Sequence, residues 1–105
     1  MHTQQNVMEK ITQVLQKYPV KKASLFGSYA RGDFRDDSDV DILIDFFSDS
    51  PGLMFFSLSE TLEKNLNLEV DMIWERSLKR MEPMFVESVE RERIDFYEKN
   101  TVANS

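Results

Sequence analysis

The apolar positions of the chain change period several times, and each change marks an element. Val7, Met8, Ile11, Val14, Leu15 and Tyr18 recur at helical intervals until Pro19 interrupts them, which predicts an amphipathic helix over residues 4–18. Lys21 to Phe26 reads as a first strand. From Asp39 to Phe46 the period becomes two: Val40, Ile42, Ile44 and Phe46 share one side, and Asp39, Asp41 and Asp45 share the other. Ser48-Asp49-Ser50-Pro51-Gly52 is a turn, and Phe55, Leu58, Leu62 and Leu66 form the apolar stripe of a second long helix.

Alternation returns between Leu68 and Trp74, where Val70, Met72 and Trp74 are apolar and Asp71 points the other way. Glu75 to Lys79 fits a single helical turn, Glu82 to Arg91 a helix with Pro83 near its start, and Ile94 to Tyr97 a short edge strand. Asn100 to Ser105 follows neither period and is expected to be a disordered tail. This order predicts an α/β sandwich, a small mixed β-sheet flanked by helices, forming a single domain over residues 1–105.

Composition narrows the class without naming a function. A chain of 105 residues makes one domain that buries about two thirds of its unfolded surface. With 41% hydrophobic and 30% charged residues it has a globular composition, and no apolar run reaches transmembrane length. The opening Met1-His2-Thr3-Gln4-Gln5-Asn6 lacks the apolar core of a secretory signal, so a cytoplasmic location is the default expectation. The absence of cysteine and the single histidine exclude disulfides, thiolate zinc sites and histidine metal sites. A net charge of −6 argues against a broad electrostatic grip on nucleic acid.

The distribution of charge says more than its total. Seven aspartates lie between Asp33 and Asp49 against one arginine, a density that repels polyphosphate unless divalent cations are bound. A solvated link explains Asp33, Asp36, Asp37 and Asp49, but Asp39 and Asp41 sit inside an apolar alternation. Two carboxylates fixed two residues apart on a strand suit Mg²⁺, a hard cation that takes oxygen ligands and accepts phosphate oxygens. If the Asp71 strand pairs with theirs, three acids converge, as two-metal phosphoryl or nucleotidyl transfer requires. Asp45 lies over ~10 Å beyond Asp41 along the strand and reads as solvated or structural.

Just upstream, Leu25-Phe26-Gly27-Ser28-Tyr29-Ala30-Arg31-Gly32 holds two of the three glycines. Gly27 lets the backbone approach a polyphosphate, and Ser28 offers N–H and hydroxyl donors. Arg31 either contacts phosphate or pairs with a neighbouring aspartate. Gly27 and Gly32 have the opening spacing of a P-loop, but Asp33-Phe34 stands where Lys and Ser or Thr are needed. Asp37, Asp39 and Asp41 imitate an EF-hand loop, yet its glycine position is Ile42 and its final acid Ser48.

Gly27-Ser28, ten intervening residues and Asp39-Val40-Asp41 resemble the Gly-Ser-x10-Asp-x-Asp signature of the minimal nucleotidyltransferases, within the polymerase-beta-like nucleotidyltransferase superfamily. Ala30-Arg31-Gly32 resembles the usual extension of that motif, and Asp71 in Glu69-Val70-Asp71-Met72-Ile73 resembles the third carboxylate. The resemblance implies a nucleotidyltransferase fold and transfer of AMP from ATP to a hydroxyl. Asp39, Asp41 and Asp71 would be catalytic and hold Mg²⁺, in two ions, while Gly27, Ser28 and Arg31 would bind the nucleotide. It further implies a helical HEPN-type toxin as partner, with a tyrosine as acceptor, in an antitoxin role and a homo- or hetero-oligomer. Two alternatives stay open: neutralisation of the partner by binding alone, and transfer to a small molecule. Phe46-Phe47 and Phe55-Phe56, on either side of the Pro51-Gly52 turn, serve either local packing or a partner surface.

Overall fold

A computed structural model describes residues 2–100, so the expected tail lies, except for Asn100, outside the described residues. The elements follow in the order α1 (Gln4–Leu15), β1 (Val20–Phe26), α2 (Gly27–Arg31), β2 (Val40–Phe46), α3 (Leu53–Leu66), β3 (Val70–Trp74), α4 (Glu75–Leu78), α5 (Pro83–Glu92) and β4 (Ile94–Glu98). The four strands form one mixed sheet in the order β3-β2-β1-β4. β1 runs antiparallel to both β2 and β4, whereas β2 and β3 are parallel. A parallel pair needs a crossover, and α3 supplies it.

The main core lies where the apolar stripes of α1 and α3 meet one face of the sheet. Val7, Ile11 and Leu15 of α1 and Leu58, Leu62 and Leu66 of α3 pack there with Val40, Ile42, Ile44 and Phe46. The opposite face is not left to solvent. Phe26, Leu43, Leu78 and Val89 form a smaller core beneath α4 and α5. Leu43, between Asp41 and Asp45, is therefore fully buried, which makes β2 apolar on both sides along its middle.

Several boundaries differ from the sequence expectation, each for a local reason. α1 starts where Thr3 accepts a hydrogen bond from the Asn6 N–H, but it ends at Leu15 instead of residue 18. Lys17 and Tyr18 turn back onto the carbonyls of Val14 and Leu15, and Tyr18 reaches the Thr61 hydroxyl at 2.9 Å. β3 begins at Val70 instead of Leu68, because Asn67 closes α3 in the left-handed conformation and the Val70 N–H donates to Glu63. β2 begins one residue after Asp39.

Arg76 pairs with Asp45 at 3.3 Å and with Asp49, and it lies 5.7 Å from the Trp74 ring centre, so Asp45 has a structural partner. Phe46 is buried and packs against Phe55 at 6.4 Å, which local packing explains; Phe56 remains 69% exposed. Among the described residues no helix is long and apolar enough to cross a membrane.

Candidate active site

The connection from β1 to α2 sets the geometry of the site. Phe26 is extended, Gly27 follows at φ +74°, and the chain turns into the short α2 before Gly32, also left-handed, releases it into the acidic link. The positive φ at Gly27 favours glycine on conformational grounds. Space imposes a second restriction: a Cβ on Gly27 would stand 2.1 Å from Asp41 Oδ2. The Asp41 carboxylate occupies the room that glycine leaves.

Strand register supplies the third acid. β2 and β3 pair so that Asp41 lies directly beside Asp71, at the inter-strand spacing of about 4.8 Å. Asp39 stands at the entrance of β2, one residue outside it, so the pair is one strand residue, Asp41, and the residue that immediately precedes the strand. Gly27, Ser28, Arg31, Asp39, Asp41 and Asp71 all line one cleft of about 490 Å³. All six residues expected to form the nucleotide and metal site thus line the same cleft.

Electrostatics agrees with that convergence. Asp41 is pushed up to about 6, by burial first and then by the negative charges of Asp71 and Asp39. Its surroundings disfavour a bare carboxylate, and a divalent cation would reverse that. Among the described residues, no three acids are spaced as a ready-made metal shell. Three hard oxygen donors on one cleft, one of them disfavoured as an anion by the charge of the others, nevertheless suit Mg²⁺ in kind.

Arg31 makes the carboxylate pairing considered for it, at the rim of the cleft. It pairs with Asp33 and Glu92, each at 3.2 Å. Glu92 escaped the sequence reading, as did Ser38, Phe85 and Ser88, which also line the cleft. The Glu92 side chain, only 19% exposed, also accepts the Gly27 N–H at 3.2 Å. No spacing rule links Gly27 to a residue 65 positions away; only the placement of β4 beside β1 brings the end of α5 to α2.

This combination of mixed sheet, glycine-serine turn and strand-borne acids defines a nucleotidyltransferase domain. The polymerase beta nucleotidyltransferase family matches residues 9–102, and the chain belongs to that family. It is 36% identical over 86 residues to MJ1215 of Methanocaldococcus jannaschii, provisionally named a protein adenylyltransferase, covering 74% of this chain and 100% of the relative. It is similar to the solved structure of a provisionally assigned minimal nucleotidyltransferase, with a TM-score of 0.68, 28% identity, and coverage of 89% of this chain and 95% of that one. The fold also matches a solved complex of a tri-AMPylated Shewanella oneidensis HEPN toxin with its MNT antitoxin, with a TM-score of 0.67, 21% identity, and coverage of 92% of this chain and 74% of that one.

Proposed function

We propose that this chain is an Mg²⁺-dependent protein adenylyltransferase, moving AMP from ATP to a tyrosine hydroxyl of a HEPN-type toxin and serving as its antitoxin. The observation that carries the chemistry is the convergence of Asp39, Asp41 and Asp71 with Gly27, Ser28 and Arg31 in one cleft. The naming of MJ1215 and the AMPylated toxin of the Shewanella complex favour a protein acceptor. The reading takes residues 1–105 as one nucleotidyltransferase domain, with the acceptor hydroxyl on a separate protein.

Gly27 and Ser28 seat the triphosphate, the glycine by close backbone approach and the serine by donating its hydroxyl. Arg31 neutralises charge on the phosphates. Asp39, Asp41 and Asp71 would hold the Mg²⁺ ions, which when bound would neutralise the phosphates and polarise the reacting oxygens. The acceptor oxygen bonds to the α-phosphorus as the bond to the bridging oxygen of the β-phosphate breaks, and pyrophosphate leaves with that electron pair. Asp71, beside Asp41 in register, takes the proton of the acceptor hydroxyl.

Intact mass measurement of the chain with a co-purified native partner, before and after addition of Mg²⁺-ATP, tests this reading. An AMP-sized increment is expected on the partner and none with Asp39→Asn. A stable complex with an unmodified partner and no increment would shift the function to neutralisation by binding. An increment on an added aminoglycoside instead would move the acceptor to small molecules.

A further inference from the structure

The same cleft holds an anion supplied by the chain itself. One oxygen of Glu92 accepts the Gly27 N–H at 3.2 Å, and the other lies 3.2 Å from Arg31 Nη1. Those are two of the groups that the proposed function assigns to polyphosphate. A carboxylate resembles a phosphate edge in the way that matters here, with two anionic oxygens sharing charge and accepting from a backbone N–H and a guanidinium.

The placement runs against the local field. Asp39, Asp41 and Asp71 line the same cleft, and Glu92 adds to the negative charge felt by Asp41. A fourth acid stays there because its donors compensate it; if it left without a replacement the Gly27 N–H would be short of a partner, while Arg31 would keep Asp33. Its backbone is anchored at the last residue of α5, next to Arg93, which is held by Glu75, Glu90 and Asp95. Beyond that anchor the Glu92 side chain has three rotatable bonds, so the carboxylate can leave while the helix stays.

We infer that Glu92 is a placeholder carboxylate: it occupies part of the triphosphate seat, keeps Gly27 and Arg31 in position, and yields to the phosphates when the nucleotide enters. The inference rests on the nucleotide site proposed above. It makes Glu92 a residue that sets nucleotide affinity through competition.

Isothermal titration of wild type, Glu92→Gln and Glu92→Asp with Mg²⁺-α,β-methylene-ATP, which cannot be cleaved at the reacting bond, separates the possibilities. Glutamine removes the charge, whereas aspartate keeps the charge and shortens the reach. Both variants are expected to bind at least about fivefold tighter than wild type, the scale set by releasing a charge-assisted hydrogen bond. The Gly27 amide resonance should shift in both variants before nucleotide is added. Tighter binding by Glu92→Gln alone would mean a general charge effect and overturn the inference, as would unchanged or weaker binding by both. No binding by any of the three proteins would overturn the nucleotide site itself, and this inference with it; binding by wild type keeps that site whatever the variants do.

Discussion

At Gly27 two constraints coincide that are separate elsewhere in the chain. Its φ of +74° disfavours any side chain, and its missing Cβ is the space in which Asp41 stands. Gly32 has the first constraint without the second: φ is +90°, but nothing lies within 4 Å of a built Cβ. Gly32→Ala is therefore expected to lose about 1–2 kcal/mol of stability and keep its transfer activity. Gly27→Ala should suffer the same conformational loss and, by displacing the Asp41 carboxylate, lose about a hundredfold or more in turnover. Thermal melts combined with AMP-transfer rates for both variants check the contrast, and equal activity losses would refute the steric role. Gly27 was legible in the sequence because its chemistry has a fixed spacing to Asp39 and Asp41. Glu92 was not, because it reaches Gly27 only through folding.

Between elements, alternation revealed the faces of the strands but not their neighbours. The apolar side of β2 could be read from Val40, Ile42 and Ile44, yet nothing in that pattern chose β3 as its parallel neighbour or put β4 next to β1. One cluster now secures that arrangement. Arg93, with its side chain only 11% exposed, pairs with Glu75 at 3.0 Å, Asp95 at 2.9 Å and Glu90 at 3.3 Å. It also donates to the buried Ser24, whose hydroxyl in turn donates to Asp95, so α4, α5, β1 and β4 meet at one guanidinium. Arg93→Met should destabilise the fold by about 1–2 kcal/mol, since it leaves Glu75 without its cation and Asp95 with only Lys22, at 3.5 Å. Burial alone would raise the Asp95 carboxyl, but hydrogen bonds from Ser24 and Arg93 outweigh it and hold the group below the usual range. A depressed carboxyl stabilises the fold above its unfolded value of about 3.9 and loses that contribution as pH falls through the folded value. Urea unfolding of both proteins should show a full stability gap at pH 7 that narrows below about pH 4; a gap independent of pH would exclude the ionic origin.

For the molecule as a whole, a net charge of −6 includes one carboxylate, Asp41, whose surroundings oppose its ionisation. Asp41 is raised to about 6 by burial and by Asp71 and Asp39, so as pH rises the unfolded chain releases this proton before the folded one. Stability contributed by the protonated form is present below about pH 4, declines toward pH 6 and is absent at neutral pH. In chelator at pH 7.5, Asp41→Asn should therefore be more stable than wild type. The gain is about 1 kcal/mol once solvent screening of a half-exposed group is allowed for, and it should vanish near pH 4. Added Mg²⁺ should reverse the order, because a ligand bound only by the folded state stabilises it by mass action. Wild type would then melt higher with rising Mg²⁺, while the variant, having lost a central carboxylate, would respond weakly. Melting curves of the two proteins with chelator and with Mg²⁺ decide the point: curves that never cross would mean that the acids serve the fold and not a cation. A crossing would identify the repulsion at the cleft as a cost that the apo fold carries for the sake of its metal.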